Sequence, residues 1–579
     1  MSHPSSPDTG DEHRWWPRAL LLLGAVLVAL TFGVTTASVE SGFGPHEARY
    51  DVTTDDTITV DLGPLGTLQI DSPLPLTLGA RVTVQEIPAT VTELDQSRTL
   101  AALSGDLQSY LQFFSGPQAT VQDVVRALAV QALQRTVLAL VVLVGAWYLV
   151  RFLVGPARRA ELRARVRPHL RAAVAGAVVV ALAATVLTSS LSHRDRPSVS
   201  QPASSVFDGT PLEGARVTGR LGGVINTYGG QVVAELRKNE EFYAAADASL
   251  RAAWDERQEL IEAGAQGTEA EIAAQAGARA GADLVTEPAP TEAGPGEGTP
   301  SESPTPSPTP SPSLDESSLV TIVVVSDLHC NVGMAPLIRT LTERSGADIV
   351  LDAGDTTING TSVEKYCVTT FARAVPDGVE LVTSPGNHDS RDTSKDYARA
   401  GATVLDGSVI EVDGLRILGD SDPNETRVGG GGTAQAGDES TTDAAQRLAE
   451  VACDDDKGVD LLLVHTPAVG QSALEEGCVP AQVSGHLHRR AGPELEGRGV
   501  RYISSSTAGA ILGQATVGPL NGIAEMTVLR WDPQSRRMVD YQLVQVQPDT
   551  TVTVSPRVRW PATPAVPTLS GNRATPSPV

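Results

Sequence analysis

Hydrophobic positions follow several different rhythms along the chain. Ala19 to Val34 is apolar without a charge and runs on through Thr35-Thr36-Ala37, about the length that crosses a bilayer as a helix. Arg14, Trp15, Trp16 and Arg18 give it a cationic and aromatic edge, and Thr35-x-Ala37 is a poor signal-peptide cleavage site, so an uncleaved span is expected over 19–37. Val137 to Val150, continuing past Arg151 to Val154, predicts a second span over 136–154. Ala172 to Leu187 predicts a third over 172–191. A soluble helical hairpin would keep a polar face, and these stretches have none.

A period of two appears between Ser38 and Ile87, as in Thr57-Ile58-Thr59-Val60 and Arg81-Val82-Thr83-Val84, and predicts a small β-rich module. From Glu93 to Gln134 the period turns helical, with Leu94, Leu100, Leu103, Leu107 and Leu111 near one side and a break near Gly116-Pro117. Residues 194–230 read as irregular. A helix follows from about Gln231 to Glu262 on Val232, Leu236, Tyr243, Leu250 and Trp254, either a membrane-proximal stalk, a pairing helix or a helix packed on its own domain. After Leu319 the apolar runs become short and β-branched: Thr321 to Val325, Asp348 to Leu351, Val379 to Val382, Leu461 to Val464, and Gln482-Val483-Ser484. Such runs predict strands buried on both faces.

Composition separates these parts. Residues 287–315 are Pro, Ser, Thr, Gly and Glu, including Ser303-Pro304-Thr305-Pro306-Ser307-Pro308; they cannot bury a core and predict a disordered spacer reaching roughly 90 Å if polyproline-like. The tail over 556–579 is also Pro-rich and reads as disordered. Arg151, Arg158, Arg159, Arg163, Arg165, Arg167 and Arg171 make a basic loop over 155–171 that belongs in the cytoplasm. Counting spans from it puts residues 1–18 inside, 38–135 and everything from 192 outside, and makes the chain a multi-pass protein of the cell membrane with an extracytoplasmic head over 319–550.

With 44 Lys+Arg against 69 Asp+Glu, the formal net charge is -25. That excess opposes nucleic acid or anionic headgroups as general partners, and no nucleic-acid-binding patch is evident. The four cysteines (Cys330, Cys367, Cys453, Cys478) all lie in the head. The most local pairing joins Cys330 to Cys367 and Cys453 to Cys478; free buried thiols are the alternative.

In the head each short strand ends on chemistry-bearing residues: Asp327-x-His329, Gly354-Asp355, Gly386-Asn387-His388-Asp389, His465, and Gly485-His486-Leu487-His488. Ligands of α/β sheets bind at that end of the strands. This ordered set resembles the calcineurin-like metallophosphoesterase superfamily over about residues 319–550. The resemblance implies an α/β fold built as a β-sandwich of two mixed sheets flanked by helices, here preceded by three transmembrane helices and a Pro-rich linker. It implies two divalent metal ions, one held by Asp327, His329, Asp355 and His488 and the other by Asp355, Asn387, His465 and His486. The implied reaction is hydrolysis of a phosphomonoester or phosphodiester by a metal-bridging hydroxide, with His388 as general acid.

The residue chemistry agrees. A shared carboxylate offsets the repulsion of two cations, and neutral imidazoles and an amide complete the set without cancelling the charge a phosphate needs. Mixed oxygen and nitrogen donors suit Mn, Fe or Zn. Gly354, Gly386 and Gly485 are expected to let the backbone turn at the strand ends. Asp389 reads as a turn or cap residue that could also orient His388, and Arg391, Arg489 and Arg490 as solvated residues or phosphate clamps. The run Gly429 to Gly432 lacks a P-loop ending and reads as a flexible insertion. A non-catalytic receptor or scaffold for a phosphorylated ligand is the rival function, and the positioned acid His388 speaks against it.

Overall fold

A computed structural model of the chain describes residues 16–85, 118–161 and 203–262, isolated positions apart, and 316–427, 432–511 and 519–563. They fall into two units that part between Arg237 and Lys238.

In the first unit α1 (Trp16–Thr35) leads into β1 (Ser38–Phe43), β2 (His46–Thr53), β3 (Thr57–Asp61), β4 (Thr67–Asp71) and β5 (Gly79–Val84); α2 (Gln118–Leu153) and β6 (Arg216–Val217) follow. The strands form one sheet in the order β1-β2-β5-β3-β4-β6, and Ala48, Tyr50 and Val82 bury against Val124 of α2. The period-two reading of 38–87 is this sheet. The helical reading up to Gln134 and the expected span from 136 fall on one helix: α2 runs for 36 residues with no proline to break it. At 1.5 Å per residue it extends about 54 Å, well beyond a hydrocarbon core of about 30 Å. A side chain at Gly33 would strike Thr136 and the Ala132 carbonyl, so α1 and α2 approach where only glycine fits.

Among the described residues one helix is long and apolar enough to cross a membrane, Val121–Leu153, and Leu22–Thr35 is a shorter apolar helix. Residues 1–15, the helical stretch 93–117, most of the Arg-rich loop and of the third expected span, and the Pro-rich segment lie outside the described residues.

The second unit starts within α3 (Gly230–Glu262). Next in chain order are β7 (Val320–Val325), α4 (Ala335–Ser345), β8 (Ile349–Asp352), α5 (Lys365–Ala374), β9 (Glu380–Thr383), α6 (Arg391–Arg399) and β10 (Thr403–Val404). Then come β11 (Ile410–Val412), β12 (Leu415–Leu418), β13 (Asn424–Arg427), β14 (Gly432–Gln435), α7 (Thr441–Asp454), β15 (Leu461–Leu463), α8 (Gln471–Glu476), β16 (Ala481–Ser484), β17 (Ala491–Glu496) and β18 (Gly499–Ile503). The chain closes on β19 (Ala524–Asp532), β20 (Arg537–Val546), β21 (Val552–Val554) and β22 (Val558–Arg559).

These strands form two mixed sheets, β10-β9-β8-β7-β19-β20-β21 with β22 on β20, and β11-β12-β15-β16-β18-β17. Ile322, Val324, Ile349 and Leu351 of the first share one core with Ile417, Leu461, Leu463, Val483 and Tyr502 of the second, which makes the pair a sandwich. Helices begin and end where local chemistry allows. Ser390 and Ser440 cap α6 and α7, and Gly346 (φ 64°) and Gly477 (φ 80°) close α4 and α8 in the left-handed region.

Two expectations need correction. The unit does not stop at 550, nor is the chain unstructured from 556: β22 pairs with β20, and Trp560 is buried against Tyr502 and Tyr541. An aromatic able to fill the core outweighs the prolines around it. The stretch around Gly429–Gly432 is a hairpin of β13 and β14 rather than a plain insertion, with 428–431 outside the described residues. Helix 231–262 packs on this sandwich, the third of the alternatives above: Arg251 and Asp247 meet Thr340, and Asp255 meets Arg344, on α4. The cysteines pair as the local arrangement has it, Cys330 with Cys367 and Cys453 with Cys478.

Candidate metal centre

Parallel pairing aligns the carboxyl ends of β7, β8 and β9 in one sheet and of β15 and β16 in the other. The loops beyond them carry every candidate residue. Two of these loops run side by side, with the amides of Asp327 and His329 donating to the carbonyls of Gly354 and Asp355 at 2.9 Å each. Asp327 (φ 51°), His329 (φ 40°), Asp355 (φ 59°), His486 (φ 71°) and His488 (φ 53°) all lie in the left-handed region. Each such residue costs roughly 1–3 kcal/mol and persists only where its surroundings hold it.

The structure brings the seven proposed metal residues together as two groups. Ligand-type atoms of Asp327, His329, Asp355 and His488 lie within 4.8 Å of one another, as do those of Asp355, His465 and His486. His329 Nε2 and His488 Nε2 face each other at 3.0 Å, and His488 Nε2 is 3.4 Å from Asp327 Oδ1. In the second group His465 Nε2 is 3.1 Å from Asp355 Oδ2 and 3.3 Å from His486 Nδ1. Asn387 Oδ1 joins it at 3.0 Å from His465 and 2.8 Å from His486. A third cluster, Cys453, Glu476 and Cys478, contains a disulfide and offers no thiolate.

Carbonyls and donors around the groups fix which ring nitrogen faces inward. The Nδ1–H of His465 donates to the Ala353 carbonyl at 2.7 Å, which leaves Nε2 with a lone pair. The Nδ1–H of His388 donates to the Ile358 carbonyl at 2.6 Å, and its ring meets that of His329 edge-on at 4.9 Å. Burial pushes the Asp327 and Asp355 carboxyls up, yet the surrounding imidazoles outweigh it and hold both below the usual carboxylate range. Burial pushes His329 down to about 4 and also lowers His486, whereas at His465 the Asp355 carboxylate outweighs burial and raises the ring well above its ordinary value. Ionised buried carboxylates among imidazole lone pairs that point at one another are a donor set for cations: a cation supplies the positive charge that otherwise only shared protons can. The residues present therefore fit divalent metal ions.

A further set of residues, only partly legible from the sequence, supports them. Asp389 accepts from the amides of Gly386, Asp355 and Thr356 on one oxygen and from Thr357 on the other, so it ties the β8 and β9 loops together. It touches the backbone that carries His388, not the ring. Glu364 accepts from the amides of Ile358, Asn359 and Thr361 and so shapes the loop whose carbonyl holds His388; the capping-box spacing Thr361-x-x-Glu364 was a readable signal for it. Asp352, ending β8, accepts from Gly354, Thr356, Thr383 and Tyr397. Arg427 donates to the carbonyls of Asn387, His388 and Asp389, and nothing in its local sequence marks it. Among the suggested phosphate clamps, Arg490 pairs with buried Glu525 at 3.1 Å, while Arg391 and Arg489 are exposed.

Two of the three glycines act differently from expectation. Only Gly354 (φ 94°) needs the left-handed region, and a Cβ there would lie 2.8 Å from His465 Nδ1. Gly386 and Gly485 have ordinary backbone angles; side chains there would strike Asp355 and Ser326, so close approach requires them.

Residues 320–490 match the family model of the calcineurin-like phosphoesterases. Comparison with curated proteins finds no match. Solved structures similar to this chain include an archaeal phosphodiesterase (12% identity, 39% of this chain and 99% of that one, TM-score 0.25). A Mycoplasma pneumoniae phosphatase (11%, 40% and 94%, 0.27) and a Haemophilus influenzae NAD nucleotidase (13%, 42% and 50%, 0.23) are similar in the same way. The family match stands on its own over the segment that contains all eight candidate residues, and with it residues 320–490 are a calcineurin-like phosphoesterase domain and the chain a metal-dependent phosphoric ester hydrolase.

Proposed function

We propose that the chain is a membrane-anchored phosphoesterase that holds two divalent cations and hydrolyses a phosphomonoester or phosphodiester. The observation that carries this reading is Asp355, one buried carboxylate that belongs to two groups of ligand-type atoms at once. Asp327, His329, Asp355 and His488 would hold one ion, and Asp355, Asn387, His465 and His486 the other, with Mn, Fe or Zn suited to the donors. Bound there, the ions supply Lewis acidity, attracting phosphoryl oxygens and lowering the pKa of nearby water.

The chain's own residues do the rest. Asn387 contributes a neutral oxygen, and its Nδ2 donates to Thr426 Oγ1 at 2.7 Å, which fixes Oδ1 toward His465 and His486. His388, its Nδ1 engaged by Ile358, has Nε2 to give a proton to the leaving oxygen. Anchoring is supported by the apolar helix Val121–Leu153, and an extracytoplasmic head by the two disulfides and the Arg-rich loop.

The purified chain with added Mn should hydrolyse an aryl phosphate or a bis-aryl phosphate, and chelation should abolish the activity until Mn is restored. His486→Ala together with Asn387→Ala should lower kcat/KM by at least about 100-fold, the upper end of what changes behind metal ligands cost. Full activity in that double variant rules the reading out.

A further inference from the structure

The loop carrying Asp327 and His329 is gripped from outside the family-matched segment. Tyr243 of α3, 5% exposed, donates its hydroxyl to Asn331 Oδ1 at 2.8 Å. Asn331 lies two residues beyond His329, is itself buried, and donates through Nδ2 to the Ala508 carbonyl at 3.3 Å. That carbonyl belongs to the turn in which Ser506 Oγ donates to the Asp327 carbonyl at 2.8 Å and accepts from the amides of Ala508 and Ala510 at 3.1 Å. Hydrogen bonds and the turn thus link the phenol to the backbone on both sides of the Asp327–His329 pair.

The aromatic ring is held as closely as the hydroxyl. A side chain at Gly333 would fall on the Tyr243 ring, and the Gly333 backbone is not left-handed, so the ring is what excludes one. Burial raises the phenol's pKa far above neutrality, which keeps it a donor. From the other side the Cys330–Cys367 disulfide pins the same loop to α5.

We propose that Tyr243 is a positioning residue for the cation group Asp327, His329, Asp355 and His488, acting through Asn331, and that the working catalytic unit therefore begins near Lys238, before the Pro-rich segment. This rests on the two-cation reading above. Without the phenol, Asn331 Oδ1 is a buried acceptor with its donor removed. Its amide no longer has a fixed orientation, and neither does the loop between the Ala508 turn and His329. The group beside His329 loses pre-organisation, while His465 and Asn387, held by Ala353 and Thr426, do not.

The test titrates the full chain, stripped of metal, with Mn by calorimetry and follows thermal unfolding of the metal-free protein. Tyr243→Phe keeps the ring and removes the donor. It should weaken one of two Mn-binding events by about 10-fold, within the range known for residues behind metal ligands, and leave the other event near its original affinity, whatever the unpaired Asn331 oxygen takes from the metal-free unfolding midpoint. Gly333→Ala, which displaces the ring without removing a polar group, should weaken the same event. Asp247→Ala, which breaks a helix contact remote from Asn331, should weaken neither. A wild-type chain that takes up no Mn would sink the two-cation reading itself. Two events in the wild type that are unchanged in both Tyr243→Phe and Gly333→Ala would overturn the positioning role alone. So would equal weakening of both events together with a fall in the unfolding midpoint, the mark of a merely structural contact.

Discussion

At the scale of single residues, Asp389 is placed to matter more for shape than for chemistry. Burial and the neighbouring Asp355 and Asp352 carboxylates push its pKa up to about 6, and the donors of Gly386, Asp355, Thr356 and Thr357 are what make a carboxylate acceptable there. In Asp389→Asn one of the two acceptor oxygens becomes a donor that faces other donors. The variant should lose about 2–3 kcal/mol of stability, the cost of buried polar groups left unpaired, read as a lower denaturation midpoint with unchanged slope. A stability equal to the original would mean that the two loops hold each other without it. Candidate metal ligands could be picked out of the sequence because Asp, His and Asn after apolar runs are conspicuous. Supporting residues such as Arg427 could not, because their partners are backbone carbonyls on another loop.

At the scale of elements, α3 decides where the phosphoesterase unit begins. Phe242, Tyr243, Ala246, Leu250 and Trp254 are buried at spacings of three and four, one side of a helix. Tyr243, Asp247, Arg251 and Asp255, four residues apart in turn, meet Asn331, Thr340 and Arg344. Leu250 is 0% exposed, and truncating a fully buried leucine costs about 2–5 kcal/mol. Leu250→Ala should therefore lower the unfolding midpoint of the phosphoesterase unit and not merely loosen the helix. Monitoring Trp531 and Trp560, both buried in that unit's core, is one way to follow it. If the core tryptophans report the original midpoint, α3 is an appendage. The far end of the unit makes the same point, since β22 and Trp560 complete a sandwich that proline content alone would have ended earlier.

At the scale of the whole molecule, the net charge of -25 must be reconciled with an anionic substrate. In the proposed reading two divalent cations would bring four positive charges against the carboxylates Asp327 and Asp355, a local surplus that long-range repulsion from a screened surface, about 8–10 Å in reach, does not cancel. The placement of the head is tested separately from its chemistry. Protease added to intact cells that produce the chain should separate residues 316–579 from the membrane part on a denaturing gel, because residues 287–315 are rich in Pro, Ser and Thr and are expected from the sequence to be an open spacer. A unit that survives until the cells are lysed would place it inside.

The sequence by itself pointed to the reaction class and to the eight candidate residues, because strands deliver residues at their ends and the ordered motifs resemble those of one family. It also determined the β-rich module before α2 and the apolar stretches, since period and length are local properties. Only the tertiary structure decided that α3 belongs to the phosphoesterase unit, that the chain is still in the core at Trp560, and that Asp389, Glu364 and Arg427 shape the site. Each of those depends on a partner dozens of residues away or on another loop, and periodicity carries no information about which surfaces will meet.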